Sequence, residues 1–256
     1  MHAIITGATG LVGSGVLDAM LKAADVTKIT IISRRPVKMA DDAKDPRVKT
    51  IIHTDFERYG PDLMSQVRDA AGVVWALGIS QNAVGADEYV RITKTYTLEA
   101  ARAFSDMARS TGEPFNFVFV SGDGATLEPG RLSPIFARVK GETEAELVRM
   151  REENPLFRAH TVRPAAIDPT HHDAIKPYMP AQGLLVGSLR SAIRVLMSSY
   201  TSPTEHLGKF MTDMAIGKWP DASKLAGPGV KPVGSSGFAI VQNAGFRRMM
   251  GLDKKP

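Results

Sequence analysis

The chain is predicted to be α/β: a doubly wound parallel sheet covered by helices on both faces, followed by a small, mostly helical C-terminal lobe. Short apolar, β-branched runs alternate with longer runs of helical spacing over the first two thirds of the 256 residues. A triplet of glycines falls at the first strand-to-helix junction, at positions 7, 10 and 13. After Pro164 the rhythm breaks, with Pro169, Pro177 and Pro180 interrupting the chain.

His2-Ala3-Ile4-Ile5 reads as a buried first strand, and Leu11, Val12, Val16, Leu17, Met20 and Leu21 recur on one helical face after it. Lys28–Ser33 and Val48–Thr54 supply the second and third strands. Asp62–Ala71 has helical spacing, and Val73–Gly78 reads as a fourth strand ending in glycine. A long helix is expected from about Asp87 to Arg109, then the strand Phe115–Val120, a helix over roughly Pro134–Arg151 and a strand at about Ala159–Val162. Beyond Pro164, Leu184–Met197 reads as a helix, and Ser202-Pro203-Thr204-Glu205 opens another that runs to Gly217. The glycine- and proline-rich stretch 226–237 is expected to be a loop, with a closing helix over Phe238–Met250. The division into domains is placed at 165/166, with residues 1–165 binding the nucleotide and 166–256 forming the substrate lobe.

Composition narrows the classes. With 43% hydrophobic residues the chain can bury a large core. It has no cysteine, which excludes disulfides, thiolate metal sites and a cysteine nucleophile and suits a reducing compartment. The first strand starts by residue 3, leaving no room for a leader, and no apolar run approaches the ~20 residues of a membrane span. A soluble, cytoplasmic protein is therefore expected, the alternative being peripheral attachment to an organelle surface such as that of mitochondria. The net charge of +5 is dispersed, and pairs such as Arg34-Arg35, Arg247-Arg248 and Lys254-Lys255 form no basic stripe interleaved with aromatics. No nucleic-acid partner is expected; a small-molecule substrate is, and a homo-oligomer is compatible with the chain.

The run Thr6-Gly7-Ala8-Thr9-Gly10-Leu11-Val12-Gly13 reads as a Rossmann-type dinucleotide cradle. Gly7 allows the tight turn, Gly10 lets backbone N–H groups approach a pyrophosphate, and Gly13 lets the helix pack closely on the strand. The helix N-terminus then offers unpaired donors and a favourable dipole to the anion. Near the end of the second strand, where an acidic side chain would accept hydrogen bonds from a free ribose 2′-hydroxyl, stand Ser33-Arg34-Arg35. Two guanidinium groups suit a 2′-phosphate, so NADP(H) is the expected cofactor.

These motifs, with Asp55-Phe56, Ala76-Leu77-Gly78, the VSGDGA run at 120–125, FARVKGETE at 136–144 and VRP at 162–164, resemble the atypical or extended short-chain dehydrogenase/reductases. The likeness is to the Tat-interacting-protein-30-like group and its fungal NAD(P)-binding, epimerase-like relatives. It implies that Asp55 and Phe56 lie beside the adenine, that Ala76, Leu77 and Gly78 flank the adenosine ribose, and that Pro164 and Ala165 border the nicotinamide. Carbonyl reducers of this family use a serine at the end of the fifth strand and a Tyr-x-x-x-Lys pair, the phenol giving a proton while the ammonium lowers its pKa and holds the ribose. Ser121 and Lys140 stand at the matching positions and are the expected catalytic residues, Lys140 also binding cofactor, but position 136 is phenylalanine.

Phe136 has no proton to give. Either Tyr89, Tyr96, Tyr178, His171 or water supplies one, or the substrate needs none, or NADPH is bound without turnover. The expected function is an NADP(H)-dependent oxidoreductase acting on a small organic carbonyl or activated alkene through a non-standard donor. The alternatives are an NADPH-binding regulatory protein and a non-redox isomerase or cyclase on the same scaffold. His171-His172-Asp173 reads as a polar loop at the mouth of the substrate cleft, with no metal site expected. Asp123, between two glycines, reads first as a turn residue and second as a catalytic carboxylate.

Overall fold

A computed structural model describes residues 1–179 and 198–253. The strands are β1 (His2–Thr6), β2 (Lys28–Ser33), β3 (Val48–Ile52), β4 (Gly72–Trp75), β5 (Phe115–Val120), β6 (Phe157–Arg163), β7 (Ala166–Asp168), β8 (Thr201–Pro203), β9 (Val230–Val233) and β10 (Phe238–Gln242). The first six helices are α1 (Leu11–Lys22), α2 (Lys38–Ala43), α3 (Pro61–Gln66), α4 (Ala86–Val90), α5 (Tyr96–Thr111) and α6 (Ile135–Glu153). A helix at Thr204–Ala215 and another at Asn243–Met249 follow.

Eight strands form the main sheet in the order β3-β2-β1-β4-β5-β6-β10-β9, all parallel except the β9–β10 pair. Strands β1 and β4 are buried along their whole length, as strands covered on both faces must be. The order reverses between β1 and β4. That reversal opens a crevice beyond the carboxyl ends of the two strands, where the chain leaves in opposite directions.

One face of the sheet packs Val16, Leu17 and Met20 of α1 against Leu207, Phe210 and Met211 of the helix Thr204–Ala215. The other is aromatic, with Trp75, Phe104, Phe115, Phe117 and Phe157 among its buried residues. Phe104 and Phe115 stack at 4.6 Å, and the indole N–H of Trp75 is satisfied by Thr97 Oγ1 at 2.8 Å.

Three differences from the sequence expectations stand out. The third helix stops at Gln66, short of Ala71. The long helix is broken by a π-helical turn at Arg91–Thr95, which carries buried Thr93. The stretch expected as a loop and closing helix instead holds β9 and β10, and only Asn243–Met249 is helical. Ala239, Ile240 and Val241 are fully or almost fully buried beside β6, so the sheet edge that this short apolar run covers makes it a strand where a helix is expected. The expected helix Leu184–Met197 and the pair Lys254-Lys255 lie outside the described residues. Among the described residues no helix is long and apolar enough to cross a membrane.

Candidate active site

The turn after β1 is shaped for close approach. Gly7 has φ of +69°, and a Cβ on it would stand 2.3 Å from the Ala76 carbonyl oxygen. A Cβ on Gly13 would stand 2.0 Å from the Gly7 carbonyl oxygen, so only glycine brings the first turn of α1 onto the end of β1. Gly10 is the N-cap of α1, and no side chain caps that end. The uncapped N-terminus opens on two adjoining cavities that share Gly10, Ala76, Leu77 and Gly78.

The outer cavity, 390 Å³, is walled by Gly7, Thr9, Gly10, Ile32, Ser33, Arg34 and Arg35. Both arginines are exposed, and neither guanidinium has an acidic partner among the described residues. The larger, 540 Å³, is bordered by Gly10 to Gly13 on one side and by Ser121, Lys140, Pro164 and Ala165 on the other. The two together have the size of a nucleotide site. Cofactor residues proposed from the sequence are thus assembled here except two. Asp55 sits in an exposed turn, where its carboxylate accepts from the Glu57 N–H at 3.1 Å. Phe56 is buried in the aromatic core, against Trp75 and Tyr96. Neither lines the cavities.

At the reaction end, the Lys140 ammonium donates to the Ser121 carbonyl oxygen at 2.7 Å and more weakly to that of Val120 at 3.4 Å. Burial pushes its pKa down to about 8, opposed by the negative charge of Glu144 one turn further along α6. Glu144 itself is fully buried and forms a two-point ion pair with Arg163, one bond being Nε to Oε1 at 2.9 Å. The Ser121 hydroxyl is buried and has no hydrogen-bond partner among the described residues. An unpartnered buried hydroxyl on a cavity wall fits a ligand oxygen.

Phe136 does not line the cavity; its ring end lies 3.2 Å from where a Cβ on Gly124 would be. Its backbone N–H donates to Gln81 Oε1 at 3.1 Å, which closes the open end of α6. None of the substitute donors named from the sequence reaches the cavity wall. Tyr89 is a buried residue of α4, Tyr96 packs on Phe56, and the Tyr178 hydroxyl donates to Asp42 at 2.9 Å. His171 is exposed and lines neither cavity, while His172 is buried and bridges Asp18 on α1 and Thr204, each at 2.9 Å, so His172 is a packing joint.

Thr93 and Tyr200 are among the wall residues that the sequence did not single out. Thr93 arrives from the π-helical turn. Tyr200 precedes β8, and its hydroxyl donates to Asp123 Oδ2 at 2.5 Å. No local pattern marks Tyr200, because it reaches the cavity through the pairing of β7 with β8.

The sheet order and the glycine turn define a Rossmann-type fold. A solved structure described as a short chain dehydrogenase/reductase family protein superposes with a TM-score of 0.65 over 96% of this chain and 97% of its own, at 15% identity. No family model matches the chain. Botcinic acid biosynthesis cluster B protein 16 of Botryotinia fuckeliana is 42% identical over 159 residues, 60% of this chain and 98% of the relative. Leucinostatins biosynthesis cluster protein T of Purpureocillium lilacinum is 34% identical over 239 residues, 84% of this chain and 85% of the relative. The chain belongs to the family of these fungal biosynthesis-cluster proteins. More distant is the protein fmp52, mitochondrial, of Emericella nidulans, 26% identical over 206 residues, 80% of this chain and 83% of the relative. Its name and those of other fmp52 relatives overturn the cytoplasmic location expected from composition.

Proposed function

We propose that the chain is an NADP(H)-dependent oxidoreductase acting on a small organic carbonyl or activated alkene. The observation that carries this reading is the continuous trough from Arg34 and Arg35, past the uncapped N-terminus of α1, to Ser121 and Lys140. In it the two guanidinium groups take the 2′-phosphate, the α1 N–H groups take the pyrophosphate, and the Lys140 ammonium takes the nicotinamide ribose. When bound, the reduced nicotinamide supplies the hydride. The Ser121 hydroxyl, unpartnered among the described residues, orients the substrate oxygen, and Ile167 and Tyr200 contribute to the substrate side of the cleft. Membership in a family whose relatives are named for biosynthesis clusters supports a small organic substrate.

Calorimetry with NADPH and NADH tests the cofactor choice. Wild-type protein is expected to prefer NADPH, and Arg34→Ala with Arg35→Ala is expected to weaken NADPH by roughly 10- to 100-fold, about 1.5–3 kcal/mol for lost charged hydrogen bonds, with little effect on NADH. Equal losses for both cofactors refute the 2′-phosphate assignment, and binding of neither refutes the oxidoreductase reading.

Phe136 favours a second reading, an NADPH-binding protein that does not turn over. It predicts tight cofactor binding and no substrate-dependent loss of nicotinamide absorbance with any carbonyl or alkene. A mitochondrial association, by analogy with the fmp52 relatives, is part of the proposal and is tested by organelle fractionation.

A further inference from the structure

We propose that Tyr200, held by Asp123, is the proton donor of this site, in place of the phenol that position 136 lacks. The assignment rests on the oxidoreductase reading and deepens it. The ionisable side chains among the described residues lining the larger cavity are Asp123, Lys140 and Tyr200. Lys140 is engaged with backbone carbonyls, and the Tyr200 phenol, held by Asp123, is the ionisable O–H group on the same cavity wall as Ser121.

The phenol is placed by a rigid frame. Strand β8 pairs in parallel with β7, so that Thr201, next in the chain, lies opposite Ala166. Buried Ser202 accepts from the Ala165 N–H at 3.0 Å and donates to Asn243 Oδ1 at 2.7 Å. The Asn243 amide in turn donates to the Ser199 carbonyl at 3.1 Å, and Arg247 Nη1 to the Thr201 carbonyl at 2.9 Å. The backbone is therefore clamped on both sides of Tyr200. Asp123 is tied to the same segment, its N–H donating to the Pro164 carbonyl at 2.8 Å. Thus both members of the pair are fastened to the strand end that borders Ser121.

A reduced nicotinamide held in the trough would supply a hydride, with its electron pair, to the substrate carbonyl carbon. The carbon–oxygen π pair then moves to oxygen, and the Tyr200 O–H turns from Asp123 Oδ2, breaking that hydrogen bond, to give this oxygen its proton. The phenolate left behind is reprotonated by solvent, which reaches the side chain because the residue is 41% exposed. Asp123 is a positioning residue. Its hydrogen bond and charge raise the phenol pKa above the usual 10.0, so the donor stays loaded through the neutral range.

The test uses the full chain with NADPH and phenanthrenequinone as the carbonyl probe. Tyr200→Phe is expected to lower kcat by roughly 100-fold or more, with KM and NADPH affinity changed by less than about threefold. Asp123→Asn, a second variant, is expected to move the alkaline fall in kcat to lower pH, because the phenol then deprotonates sooner. A readout without turnover accompanies these. In absorbance titration of the cofactor-free protein, the wild-type minus Tyr200→Phe difference is expected to show one phenol ionising above the ordinary value, and Asp123→Asn to bring it down. Turnover retained within about threefold in Tyr200→Phe overturns the assignment alone, as does a Tyr200 phenol of ordinary pKa. Tight NADPH binding by a wild-type protein that does not reduce the probe ends the oxidoreductase reading, and the donor with it.

Discussion

Replacing Lys140 with methionine probes a charge that the fold holds at a cost. The ammonium lies among the carbonyls of Val120 and Ser121, and burial lowers its pKa from 10.5 to about 8. In the unfolded chain the group keeps its ordinary value. Between pH 8 and 10.5 the unfolded chain therefore holds a proton that the folded chain has released, and stability rises with pH across that window. The contribution is fully present above the unfolded pKa and is lost as pH falls through the folded one. At 1.36 kcal/mol per pKa unit, integration from about pH 7.5 to about pH 10 gives a gain of about 2 kcal/mol, an upper bound because part of the side chain reaches solvent. Urea unfolding of the cofactor-free protein at these two pH values measures it. Wild-type protein should gain about 2 kcal/mol relative to Lys140→Met, whose other titrating groups are the same. Parallel pH dependence of the two proteins would refute a desolvated ammonium at this position. NADPH binding should show the same group from the other side, weakening above about pH 8 in wild type and not in Lys140→Met.

Gly13→Ala should lose NADPH binding and destabilise the fold by more than about 2 kcal/mol, read by calorimetry and denaturation, because its Cβ would press 2.0 Å from the Gly7 carbonyl oxygen. Glu144→Ala leaves the Arg163 guanidinium buried without its carboxylate, and thermal and urea unfolding should report a loss of about 3–5 kcal/mol. Phe136→Tyr alone should change phenanthrenequinone turnover by less than about threefold, since the ring end lies against Gly124 and off the cavity wall. A large gain in kcat would show that the ring reaches the reacting oxygen.

The strand–helix alternation, the cradle and the identity of its glycines were legible in the sequence because each rests on neighbours along the chain. Ile4 and Ile5 feed the turn, Gly7 makes it, and Val16 and Leu17 carry the helix onto the sheet, all within about a dozen residues. Ser121 and Lys140 were legible by position after a strand and within a helix. Asp55 and Phe56 follow the third strand as the family position implies, and the structure adds that the aromatic core holds the Phe56 ring while the Asp55 carboxylate accepts from the Glu57 N–H in a turn.

By itself, the amino-acid order determined that this chain folds as a parallel α/β sheet, that a glycine turn joins its first strand to its first helix and that position 136 has no phenol, since periodicity, turn chemistry and residue identity are local properties. Only the tertiary structure decided that β10 and β9 extend the sheet beside β6, that Lys140 turns to backbone carbonyls, and that Tyr200 comes to Asp123 from 77 residues away. Those outcomes depend on which distant surfaces bury one another and which polar groups are left to be satisfied, and no window of sequence contains both halves of such a contact.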